Sequence, residues 1–243
     1  MPKMWSEDKT AYTAKELLEA HPVAFINARD EYAQNSDMLE WRCEEGVDDF
    51  TECIIPALGL TLADEKRAIA YSIGNYDGTD YTALGTCASV SDWPTFLLAL
   101  DGHPDAQIAP DATEGARRVH IDKRSAIYRA LRGGDAYLTF AGVKNWRGDV
   151  ERSEAGIEID DYSYYSDGLD AATLDKLARQ AEALTADLTD WIDAIVQHVA
   201  VRIMRDIEYD TSEEGFLDSS ESNDWYYDEH GHITTPPDNA QEA

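Results

Sequence analysis

The chain has 243 residues, 43% of them apolar and 10% aromatic, which supports a sizeable core and excludes a disordered chain. Its 49 acidic residues face only 20 basic ones, for a formal net charge of −29. That charge disfavours direct binding to DNA, RNA or an anionic membrane and leaves cationic partners: a basic protein surface, or metal ions.

The longest apolar run, from Ile54 to Ala63, is broken by Pro56 and Gly59, so no membrane span and no membrane partner is expected. The start of the sequence has no apolar signal region, so a cytoplasmic location is expected. Cys43, Cys53 and Cys87 are odd in number and lack metal-ligand spacing; they read as reduced, mostly buried thiols, and no cofactor is called for. The charge is well beyond the roughly 2 to 8 that keeps a small domain soluble, and such self-repulsion needs a compensating cause. One cause is a basic partner. The other is a saline cytoplasm, which suits a surface with 29 Asp and 20 Glu but only 7 Lys and screens it over about 3 Å.

In chain order, residues 13–20 open with a capping box, Thr13 with Glu16, and the helix stops before Pro22. A second helical piece follows over 23–33. Val47, Phe50, Ile54 and Ala57 share one helical face that ends near Pro56. Residues 67–73 and 81–90 read as a β-hairpin with a long tip around Asn75, Asp77 and Gly78. Residues 91–100 return to helix, with Ser91 or Asp92 as N-cap. A loop leads to a strand over 118–122, then to a short helix closed by glycine and two further strands, "DAYLTFAGV" and "AGIEIDDYSYY".

The clearest element is a long C-terminal amphipathic helix over 170–207. Leu174, Leu177, Ala181, Leu184, Leu188, Trp191 and Ile195 recur at steps of three and four. Asp170 is its cap, and Leu169 can staple onto Leu174. The seam is either core-spanning or a contact with a second copy, a homodimer. Thr211 and Glu214 form a second capping box, and 223–233 read as a last strand and turn. The expectation is one α+β domain over 1–234, an antiparallel sheet packed with helices, and a flexible tail over 235–243.

Arg118, His120 and Asp122 fall on one face of their strand, a pattern that suits a metal or acid–base site. His230 and His232 make another pair. No phosphate-cradling loop or nucleophile elbow is present, so an enzyme is the alternative and a non-enzymatic binder the main expectation.

The acidic stretches carry more. On the strand over 155–165, Ile157 and Ile159 point inward and Glu158, Asp160 and Tyr162 outward, placing carboxylates ~6.6 Å apart. Duplex DNA presents phosphates every ~3.4 Å per strand, and a second acidic element beside the first matches that density. The stripe Asp187, Asp190 and Asp193 is one available neighbour. The expected partner-binding face comprises Asp149, Glu151, Glu154, Glu158, Asp160, Asp161 and Asp167 in one region. In the other it comprises Glu208, Asp210, Glu213, Glu214, Asp218, Glu221 and Asp224, with Trp225 and the neighbouring tyrosines as anchors.

The hairpin "IAYSIGNYDGTDYTALGTC" resembles one in a family of uncharacterised phage-encoded acidic accessory proteins. Tyr71, Ser72, Asp77, Gly78, Tyr81 and Gly85 match its outline; Asn75 and Tyr76 stand where the family has Gln-Gly. The stretch from Glu208 to Ile233 is also similar in pattern. The resemblance implies a virus-borne protein, and small acidic phage proteins often resemble DNA mimics that inhibit host restriction or other defence enzymes. The function expected is therefore a DNA-mimicking or acidic-surface inhibitor of a host DNA-binding defence protein. A saline-adapted interaction protein, or a metal-dependent enzyme using Arg118, His120 and Asp122, are the alternatives.

Overall fold

A computed structural model describes residues 3–5, 9–71, 82–102, 116–144, 150–160 and 171–234. The architecture is α+β, with antiparallel sheets and one long C-terminal helix. Where the sequence reads as one domain over 1–234, the chain divides into two compact units: residues 1–44 with 203–243, and residues 45–202. The expected tail, 235–243, lies outside the described residues, as do Leu169, Asp170 and the turn 72–81 that carries the phage-family likeness.

The first unit is built from both ends of the chain. β1 (Lys3–Trp5) and β2 (Lys9–Thr13) pair with β9 (Tyr226–Tyr227) and β10 (Ile233–Thr234) in an antiparallel sheet ordered β1-β2-β9-β10. α1 (Ala14–Ala20) starts with the expected capping box: Thr13 Oγ1 accepts from Glu16 N at 3.3 Å, and Glu16 Oε2 accepts from Thr13 N at 3.1 Å. Pro22 then opens α2 (Pro22–Ala33) at its first position, where the missing N–H costs nothing. Leu17, Phe25, Phe216 and Tyr227 close the core, with Phe25 edge-on to Phe216 at 5.4 Å between centroids.

α3 (Ser36–Asp49) begins earlier than expected. It continues as a π-helical turn, Phe50–Ile54, and a short α4, Ile55–Ala57. Phe50, Ile54, Ile55 and Leu58 are buried; Val47 and Ala57 are only half-buried, because the π turn rotates the face. In the second unit, β3 (Leu60–Leu62), β6 (Ala88–Val90), β7 (Ala136–Lys144) and β8 (Val150–Ile159) form an antiparallel sheet in that order. β4 (Ile69–Tyr71) and β5 (Thr82–Leu84) pair antiparallel, as the hairpin predicted. The run 81–90 is two strands, however: it bends at Gly85–Thr86, and β6 pairs with β3 and β7 instead.

α5 (Trp93–Leu100) is capped by Asp92, whose carboxylate accepts from Thr95 N at 3.4 Å. α6 (Ala126–Gly133) is capped by Ser125 and ends at left-handed Gly134. The long helix α7 runs from Ala171 to Thr211. Its seam faces inward: Leu177, Leu188, Trp191 and Ile195 are at most 2% exposed. Phe96, Phe140 and Trp191 meet at 5.8–6.3 Å between centroids, tying α5, β7 and α7 together. The seam is therefore occupied by its own chain, which is the core-spanning alternative.

α8 (Glu213–Ser222) begins one residue later than the second capping box implied. Ser212 is the cap, accepting from Gly215 N at 3.1 Å, while Thr211 closes α7 by donating to Ile207 O at 2.8 Å. Cys43 is buried as expected, but Cys53 and Cys87 are exposed. No described helix is long and apolar enough to cross a membrane.

Candidate protein-binding surface

The residues 118–122 form an extended segment outside any sheet. Their burial alternates as expected, with Val119 and Ile121 inside, and Arg118 and His120 lie beside Gly102 and Asp101 while Asp122 turns to a local partner. His120 Nδ1 lies 3.3 Å from Asp101, and the His120 side chain is 80% exposed. Asp122 instead accepts from Arg124 N at 2.8 Å, closing a local turn. The second histidine pair is a turn as well: Asp228 Oδ1 accepts from His230 N and His232 N. A cavity of about 630 Å³ beside it is lined by His21, Glu31 and Glu229, yet among the described residues no three His, Cys, Asp or Glu side chains are placed to hold a metal ion.

Of the acidic residues expected to bind a partner, Asp149, Asp161 and Asp167 lie outside the described residues. On β8, Ser153 and Ala155 point inward with half-buried Ile157 and Ile159, and Glu158 points outward. The outer face is sparser in charge than expected. Gly156 separates Glu154 from Glu158, so these carboxylates stand four residues, ~13 Å, apart. Glu154 is also ion-paired with Arg152. Glu151 is exposed, and Asp160 is half-buried just beyond the strand, its N–H bonded to Asp135 O at 2.9 Å. Asp193, from the expected helix stripe, is committed to the fold: its carboxylate accepts from Ser153 N at 2.8 Å, and Thr189 Oγ1 accepts from Ala155 N at 3.0 Å. The long helix thereby covers the open edge of β8.

The acids of the first unit fall into two sets. Asp210 is 4% exposed and receives two hydrogen bonds from Arg42, at 2.5 Å from Nε and 2.8 Å from Nη2. It is a buried structural carboxylate and not part of a binding face. Asp218 accepts from the Tyr209 hydroxyl at 2.7 Å, and that bond, with the nearby carboxylates, raises the Tyr209 phenol above its ordinary value. Glu208, Glu213, Glu214, Glu221 and Asp224 are all exposed.

Two of these exposed acids border a cleft of about 530 Å³ between α1 and α8. Half-buried Leu18, Leu217 and Trp225 supply its apolar lining, and exposed Glu19, Glu221 and Asp224 supply carboxylates, with Lys15 as the one lining cation. Among the described residues none of these three carboxylates has an ion pair or a side-chain hydrogen bond. Asp224 holds φ at +52°, the left-handed region that Asp tolerates better than most residues. The wall is firm. Trp225 packs edge-on to Tyr32 at 5.7 Å, and Ser220 Oγ and the Tyr227 hydroxyl share a buried 2.8 Å hydrogen bond. α8 itself is set tightly against the end of α7, since a Cβ on Gly215 would run into the Tyr209 carbonyl.

Sequence reasoning found Glu221, Asp224 and Trp225. It missed Leu18 and Glu19, which read only as parts of a capped helix, and Arg42, whose partner is 168 positions away. Compared with protein-family models, curated proteins and solved structures, the chain finds no match.

Proposed function

We propose that the protein is a non-enzymatic binding protein whose first unit presents an acidic surface to a basic, DNA-binding partner, as a viral accessory factor acting against a host defence enzyme. The observation that carries this reading is the division of charge. Residues 1–44 with 203–243 hold 21 acids and 6 bases, a net −15 over 85 residues; residues 45–202 hold 28 acids and 14 bases, a net −14 over 158. The smaller unit thus bears the larger charge, whereas a saline habitat would load both surfaces alike. Within it, residues 206–231 contain no Lys or Arg at all, so the exposed carboxylates of α8 and its flanks have no basic residue beside them in sequence. A field of this kind steers a cationic partner and raises its association rate.

The face has narrowed from the one expected. Residues 206–229, without Asp210, carry it; the β8 acids belong to the other unit and are fewer and partly paired. Changing Glu208, Glu213 and Glu214 to Lys tests the reading. The triple variant should associate with a DNA-binding target at least tenfold more slowly at low salt; an unchanged rate would remove the role of this face.

A further inference from the structure

The cleft between α1 and α8 is more specific than a charged surface. We infer that it is a receptor for an arginine side chain carried on a segment of the basic partner, an inference that rests on the acidic-surface reading above and sharpens it. Three features select this occupant. The lining is apolar and aromatic where it is half-buried and anionic where it is exposed, which suits a side chain with an aliphatic stem and a charged planar head. Glu19, Glu221 and Asp224 have no partner among the described residues, so an incoming cation meets carboxylates that need not first be released from other bonds. Trp225 lines the cleft, and an indole is a ring on which a guanidinium can stack while its N–H groups fork onto a carboxylate.

Lysine fits less well, because its strongly hydrated ammonium neither stacks nor forks. A volume of about 530 Å³ is within the range of small-ligand sites and holds one or two side chains, not a whole helix. Lys15, at the opposite charge, sets a direction: the guanidinium lies toward Glu221 and Asp224 and away from the Lys15 ammonium.

The test uses the full-length protein and a twelve-residue synthetic peptide with a central arginine pair, titrated by calorimetry and by tryptophan fluorescence. Matched peptides carry lysine or neutral citrulline in place of arginine. Two variants each remove two charges: Glu221→Gln with Asp224→Asn in the cleft, and Glu40→Gln with Glu44→Gln on the exposed side of α3, outside both the cleft and the acidic face. Asn keeps the left-handed backbone at position 224, and melting curves confirm that each variant folds. The arginine peptide should bind tenfold or more tightly than the citrulline one and more tightly than the lysine one. The cleft variant should lose at least tenfold in affinity and the outer variant less than threefold. In Trp225→Phe the peptide-induced fluorescence change should disappear. Equal losses in the two double variants, or equal binding of arginine and lysine peptides, would overturn the cleft while leaving a diffuse acidic surface intact. No binding of the arginine peptide would also overturn it, and the acidic-surface reading then stands or falls separately on competition with DNA.

Discussion

At the scale of single residues, carboxylates that look alike in the sequence have different tasks. Asp210 lies in the same acidic run as Glu208 and Glu213, yet it is buried against Arg42. Removing one partner of such a pair leaves the other charge unpaired. Asp210→Ala should therefore cost about 2–4 kcal/mol in denaturant melts, whereas Glu213→Ala should cost about 0.5 kcal/mol or less. Gly215 is similarly fixed by its surroundings, and Gly215→Ala should destabilise by about 1–3 kcal/mol because backbone, and not a flexible side chain, occupies the space. Tyrosine gives the pH dependence. The bond to Asp218 raises Tyr209, and burial raises Tyr227 against the lowering effect of Ser220. A raised folded value means that the stabilisation is fully present below the unfolded value of about 10 and is lost as pH rises through the folded one. The melting temperature should fall above about pH 10, and Tyr209→Phe should reduce that fall; an alkaline profile identical to wild type would contradict the role of the Tyr209–Asp218 bond.

At the scale of elements, local chemistry was legible and pairing was not. The Thr13–Glu16 box, the Asp92 and Ser125 caps and the Gly134 stop follow from interactions within one turn, and each was readable from spacing. The seam of α7 was readable for the same reason, since a sustained period of three and four needs no knowledge of what covers it. The cap of α8 lies one residue beyond the expected one because Thr211 and Ser212 are both good caps, and the choice falls on Ser212 because the Thr211 hydroxyl donates to Ile207 O instead. The split of 81–90 into β5 and β6 was invisible because it depends on strands far along the chain. So was the use of Asp193, which looked like surface charge and instead satisfies the edge of β8. Asp193→Ala should leave Ser153 N without its acceptor and cost about 1–3 kcal/mol, measurable together with faster amide exchange on Ser153.

At the scale of the whole molecule, the total charge was plain from composition, but its uneven division was not. The two unit boundaries fall inside α3, between Glu44 and Glu45, and inside α7, between Arg202 and Ile203. Neither has the Pro, Gly or Ser content that marks a linker, and the first unit joins residues from opposite ends of the sequence. Only when the fold assigns each residue to a unit does the first unit emerge as the more heavily charged. Of the expected face, residues 149–160 belong to one unit and 206–229 to the other. The aromatics of the C-terminal stretch prove to be largely structural: Tyr227 is 1% exposed and Trp225 packs on Tyr32. Trp225 combines that role with a place in the cleft, as does Tyr226, which is paired in the sheet. The proposed role of this unit is to compete with DNA for a basic surface. The most direct measurement is inhibition of a panel of purified DNA-cleaving and DNA-modifying enzymes, with increasing duplex DNA and with salt varied from about 50 to 200 mM. Inhibition of at least one enzyme should be relieved by added DNA and should weaken steeply, linearly in log–log form, with salt. No inhibition across the panel, or inhibition indifferent to both DNA and salt, would contradict that role.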